Sequence, residues 1–185
     1  MRFCPRAVIA FLLLLLTASV SGAAEDWRLD SYDRAQALFR ASDQKEAELL
    51  KQYEPRIAEF SALFYLFQDA NRKMQRYVFL KKLRENPESI NWTRTWDWAD
   101  GRDIGTKEQE DLAAKDPAFR ALREDFLAKK EALRRAKDLT KMRNSEYEKH
   151  AEIFYALEEK LLKDLEKLQA EVDQRMSNTP MEPSR

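Results

Sequence analysis

Residues 43–86 read DQKEAELLKQYEPRIAEFSALFYLFQDANRKMQRYVFLKKLREN, and the spacing of their apolar members decides the fold. Leu50, Tyr53, Ile57, Phe60, Phe64, Phe67, Met74 and Val78 follow one another in steps of three or four, with Asn71 as the polar member between Phe67 and Met74. That is a helical seam of about four heptads. Asp43 with Glu46 three residues on has the form of a capping box and predicts a helix start. Asn86-Pro87 predicts the end, because a residue before proline is pushed out of the helical region. Pro55 lies inside the seam, so a kink or a restart is expected there. Residues 62–67 are apolar all round, and on a helical wheel Tyr65, Phe79 and Leu83 fall opposite Phe60, Phe64, Phe67 and Val78. A helix of that kind needs cover on two sides, from segments 107–143 and 146–176 or from a second subunit.

The flanking sequence gives more helix. Asp30 or Ser31 can cap a short helix to about Ala41, with Tyr32, Ala35 and Phe39 on one side. Downstream, Thr106 with Gln109 and then Asp116-Pro117 read as helix starts. Phe119, Leu122, Phe126, Leu133 and Ala136 form the apolar side that follows. Ser145 and Glu148 suggest another start after Asn144. Phe154, Leu157, Leu161, Leu165, Leu168, Val172 and Met176 then repeat with an eleven-residue period, which makes a nearly straight seam. No Gly or Pro occurs between 117 and 180, so the alternative is one unbroken helix. The expected architecture is all-α: an elongated helical bundle with a long kinked helix 43–86, a Trp-rich connection, and an antiparallel pair 107–143 and 146–176. It forms a single domain 25–176 with a disordered polar tail 177–185.

Composition agrees and excludes several classes. The chain of 185 residues has 3 glycines, 6 prolines, 1 cysteine and 1 histidine, and 36% of it is charged, with 33 basic residues against 33 acidic. A doubly wound nucleotide-binding fold, a β-sandwich or a disulfide-stapled module needs more Gly or Cys.

Residues 1–23 read as a cleaved signal peptide. Arg2 and Arg6 precede an apolar run from Ala7 that contains Leu12 to Leu16, and Ser21-Gly22-Ala23 supplies small residues for cleavage. The uncharged stretch from Ala7 to Ala24 is at the lower edge of what spans a bilayer, so an uncleaved anchor is the alternative. Cleavage removes Cys4, Arg2 and Arg6, leaving a thiol-free chain with acidic residues in excess by two. A thiol-free secreted chain of this size suits a bacterial periplasm better than a disulfide-rich extracellular setting. No later run is long and apolar enough to predict a transmembrane segment.

The candidate sites follow. Trp92, Trp96 and Trp98 lie within seven residues, beside Arg94 and Arg102. Such a loop either folds its indoles over the end of the bundle or presents a docking surface, since Trp and Arg dominate binding hot spots. Glu88 beside this cluster gives a second functional class, a glycan-binding or glycan-acting module with Trp92, Trp96 and Trp98. Glu88-Ser89 resembles the Glu-Ser pair of lytic transglycosylases, whose Gly-rich loop and sheet this chain lacks. Asp97, Asp100 and Asp103 recur around Gly101, but counting back from that glycine puts Trp98 and Trp96 where an EF-hand needs acids. His150 is a lone histidine, too little for a metal site. No cofactor is expected. Residues 72–84 carry Arg72, Lys73, Arg76, Lys81, Lys82 and Arg84 with no acid, and 129–143 carry seven basic residues against Glu131 and Asp138. These basic runs either face the acidic stretch 146–173 or serve an anionic surface or partner protein. Nucleic acid is not expected outside the cytoplasm.

Two local resemblances add little. Residues 36–47 resemble the turn of a tetratricopeptide repeat, but the motif does not recur. Thr106-Lys107-Glu108-Gln109 and Leu139-Thr140 resemble the Leu-Thr-x-x-Gln signature of small periplasmic helical chaperones, with Gly105 in place of the Leu and Arg143 in place of the Gln. The expectation is a non-enzymatic interaction protein of the bacterial cell envelope, an adaptor, chaperone-like binder or assembly subunit, with a protein partner or self-association.

Overall fold

The computed structural model describes residues 26–99 and 105–178. Helix occupies 91% of these and no strand occurs among them. In chain order the elements are α1 (Trp27–Tyr53), α2 (Ile57–Glu85), a short 3-10 turn (Pro87–Ser89), α3 (Thr95–Ala99), α4 (Thr106–Lys115), α5 (Pro117–Arg135), α6 (Lys137–Lys149) and α7 (Ala151–Asn178). The bundle is therefore all-α as expected, but its elements are cut differently.

No helix begins at Asp43. The first helix is capped by Asp26, whose side chain accepts from the Arg28 N–H at 3.0 Å, and it runs unbroken through Ser42 and Asp43. The Asp43 carboxylate pairs instead with Arg72 of α2. At Pro55 the chain does more than kink. The Glu54 N–H closes α1 on the Leu50 carbonyl at 3.0 Å, and Pro55 has no N–H with which to continue the ladder. Glu54 then takes the Arg56 N–H at 3.1 Å and its guanidinium at 2.7 Å. The expected single helix 43–86 is thus two antiparallel helices, α1 and α2, joined at a three-residue corner.

The two outer helices flank this hairpin rather than pairing with each other. Going down α2 from its C-terminal end, Tyr77 meets Phe119 and Phe67 meets Phe126 at centroid distances of 5.8 and 5.4 Å, so α5 runs antiparallel to α2. Arg34 meets Glu171 at 2.6 Å, and Leu50 shares a cluster with Phe154, so α7 runs antiparallel to α1. The cover for α2 comes from α1, α5 and α6, whereas Tyr65 and Leu66 stay about half exposed.

The Asp116-Pro117 break falls where expected. The Asp116 side chain accepts from the N–H groups of Ala118 and Phe119, and Tyr77 donates its hydroxyl to it at 2.7 Å. Residue 105 starts α4, with its N–H on the Glu108 carboxylate at 2.9 Å, in place of the Thr106/Gln109 box. The break expected at Asn144-Ser145 does not occur. The chain turns at Ala136 and at His150 instead, neither of which is a helix breaker. Tertiary packing decides both: α6 lies across the corner of the hairpin, with Leu139, Met142 and Tyr147 against Leu50, Ile57, Phe60 and Phe154, and His150 stacks on Tyr53 at 3.6 Å. Along α7 the eleven-residue seam is the buried one, through Phe154, Leu165, Leu168 and Val172. That helix continues through Ser177 to Asn178, into the first residues of the expected tail. Residues 1–23, the expected leader, and 179–185, the rest of that tail, lie outside the described residues.

Acid should loosen this frame in a defined window. Side-chain and backbone hydrogen bonds from Arg56 pull the Glu54 carboxyl down to about 2, and hydrogen bonds from Arg134 and Arg135 do the same for Glu131. A depressed folded-state pKa gives stability that is present above the ordinary value of 4.5 and lost as pH falls toward 2. NMR titration of the glutamate side chains should show these two still ionised at pH 3, with the melting temperature falling between pH 4.5 and 2. Ordinary titration of Glu54 would refute the corner geometry.

Candidate functional site

The Trp-rich connection is a lid on the core. Trp98 is 2% exposed and Trp92 is 9% exposed. Trp92 packs against Trp27, Phe79 and Trp98 with ring centroids 5.4, 6.0 and 5.2 Å away. Trp96 is half-buried against Phe39 at 4.8 Å. One side chain of α7 stitches the lid down: Gln169 accepts from the Thr95 hydroxyl at 3.0 Å and the Trp98 indole N–H at 3.3 Å, and donates to the Trp92 carbonyl at 2.7 Å. The faces of two of the three indoles that a sugar would stack on, Trp92 and Trp98, are in the core. Glu88 is exposed in the 3-10 turn. Arg94 is exposed and forks onto Asp97 at 2.9 and 3.0 Å. Arg102, with Asp100, Gly101 and Asp103, lies outside the described residues.

The basic stretch of α2 is largely neutralised. Arg72 is buried on Asp43, Lys73 pairs with Asp69 at 2.7 Å, Arg76 with Asp33 at 3.1 Å, and Lys81 with Glu85 at 2.6 Å. Lys82 is half-buried on the same helix. The compensating acids come from α1 and from α2 itself, not from the acidic last helix. His150 is partly exposed, 3.8 Å from Glu146. Among the described residues no three His, Cys, Asp or Glu side chains come together as a metal site would require.

A further candidate surface lies elsewhere. A groove of about 430 Å³ runs between α2, α5 and α6. Its floor is Phe60, Phe64, Phe67 and Leu133, and its walls are Lys130, Arg134, Thr140, Arg143 and Asn144. Three cations and no acid line it. Glu131, outside the lining, holds Arg134 at 2.6 Å. Arg143 pairs with Glu46 and lies over the Tyr147 ring at 4.5 Å. Lys130 stands over the Phe126 ring at 5.9 Å. Burial and a hydrogen bond to Glu158 both raise the Tyr147 hydroxyl's pKa, so that ring stays neutral under the Arg143 guanidinium.

Sequence reading singled out neither Lys130, Arg134, Arg143 nor the groove. Two signals were present: the basic run 129–143 and the phenylalanine spacing of α2. Only the turn at Ala136, which folds α6 across the hairpin corner, brings them together. No helix among the described residues is long and apolar enough to cross a membrane. No family model, characterised protein or solved structure matches this chain.

Proposed function

We propose that this protein is a non-enzymatic interaction protein of the bacterial cell envelope, and that its binding surface is the groove over Phe60, Phe64 and Phe67. The observation that carries the reading is the groove's chemistry: an aromatic floor with walls bearing three cations and no acid. That pairing suits an amphipathic, acidic segment of a partner, with apolar anchors in the floor and charge at the rim. The envelope location rests on the leader-like residues 1–23 and the thiol-free remainder. The glycan reading through Trp92, Trp96, Trp98 and Glu88 is weakened by the burial of Trp92 and Trp98, which leaves only the half-buried Trp96 and the exposed Glu88.

The test is capture of partners from envelope extract by the tagged protein lacking residues 1–23, beside the double variant Lys130→Glu/Arg134→Glu. Both side chains are exposed, so the variant should stay folded and lose only the small stability of the exposed Arg134–Glu131 pair. The expected result is one defined protein, recovered by the parent and lost by the variant. Recovery of peptidoglycan fragments alone, or equal recovery by both proteins, would overturn the reading.

A further inference from the structure

We infer that the groove takes the outer strip of α7 from a second copy of this chain, so that protomers join head to tail; this deepens the reading above and rests on the groove being a binding surface. The strip has the chemistry the groove lacks. Tyr155 and Leu162 are 62% and 45% exposed. They sit seven residues apart, two turns of one helix face. Glu152, Glu158, Glu159 and Glu166 lie within about 60° of Tyr155 on the helical wheel, and no Lys or Arg of α7 shares that sector. Apolar anchors with acids on their own sector therefore face solvent on one helix, Lys163 at the edge of that sector holding Glu159; an aromatic floor faces solvent between three others, with Lys130 on its wall beside two arginines that Glu131 and Glu46 hold from outside.

The two surfaces also match in length. Phe60 to Phe67 is the same seven-residue step as Tyr155 to Leu162, about 10 Å along each helix axis. Within one chain they cannot meet. The chain's own α7 is fixed on α1 through Leu165, Leu168 and Val172, and α6 stands between strip and groove. Arg143 and Asn144 of α6 line the groove, while its Tyr147 packs on Phe154 at 4.5 Å and donates to Glu158. A different patch is used on each partner, so the contact is heterologous. It propagates as a ring or a filament, since an open assembly keeps one free groove at one end and one free strip at the other until it closes.

Two exposed-surface variants test this. Lys130→Glu/Arg134→Glu blocks the groove and leaves the strip; Tyr155→Ser/Leu162→Ser blocks the strip and leaves the groove. Sedimentation velocity across a concentration series should show the parent protein associating, more weakly as salt is raised. Each variant alone should associate at least about tenfold more weakly. An equimolar mixture of the two should form a dimer and stop there, because it holds one good groove and one good strip. A mixture that stays monomeric, or variants that associate as the parent does, overturns the inference. A monomeric parent at all concentrations also overturns it. If that monomer still captures an envelope protein that the groove variant loses, the groove survives as a binding surface. If reversal of Lys130 and Arg134 loses nothing, both readings fall.

Discussion

Trp98→Ala is expected to lower the unfolding free energy by about 3–5 kcal/mol, the range for removing a large buried aromatic side chain. The indole is 2% exposed and lies 5.2 Å from the Trp92 ring. Its removal opens a void that the surrounding clamp of α1, α3 and α7 cannot easily fill. It also takes one donor from Gln169, which then holds the lid through Thr95 and the Trp92 carbonyl alone. Urea unfolding should show the fall as a lower midpoint at unchanged slope. Trp96→Ala, on a half-buried ring touching Phe39, should cost clearly less. Equal effects of the two changes, or a Trp98 effect under about 1 kcal/mol, would sink the lid assignment.

The second large effect belongs to Asp43→Ala, also expected at about 3–5 kcal/mol. The Arg72 side chain is 8% exposed and its guanidinium meets Asp43 across the α1–α2 interface. Removing the carboxylate leaves a buried cation without that partner. The magnitude comes from that stranded charge more than from the lost attraction. Asp43→Leu/Arg72→Met, which removes both charges, should therefore recover most of the loss. A double variant as unstable as Asp43→Ala would show that Asp43 acts through something other than its partner. The cycle of single and double variants measures the coupling directly.

The helical class was legible because the apolar spacing on either side of Pro55 has the helical period and because Gly and Pro are so few. The corner itself was half legible. Pro55 announces a disturbance, but a kink and a reversal look alike from the backbone's missing N–H. The difference lies in Glu54 and Arg56, whose mutual hydrogen bonds tie the turn, and in α6 closing over it. Asp43 misled for a related reason: Asp followed by Glu three residues on is capping chemistry at a helix start and merely a charged pair in a helix interior. At Ala136 and His150 the backbone turns with no residue type to mark it, so nothing local could have placed α6. The groove was illegible for the same cause. Phe64 and Arg134 are 70 residues apart in sequence, and each had a sufficient local explanation, one as seam and one as solvated charge.

The first and last long helices are partners, and that has a consequence for the order of events during synthesis. Arg34 grips Glu171, and the core around Tyr32, Ala35 and Phe39 is completed by Leu165, Leu168 and Val172. At 5–20 residues per second, a ribosome needs roughly 6–25 seconds to cover the interval between those two sets of residues. Throughout that interval α1 has one wall of its core and lacks the other, and the tryptophan lid has no Gln169 to fasten it. The corner formed by Leu50, Ile57 and Phe60 can gather early, whereas the opposite end must wait. A nascent chain of this design stays open at its N-terminal end until translation is nearly done, the state in which a threading machine or a holding chaperone would find it easiest to grasp.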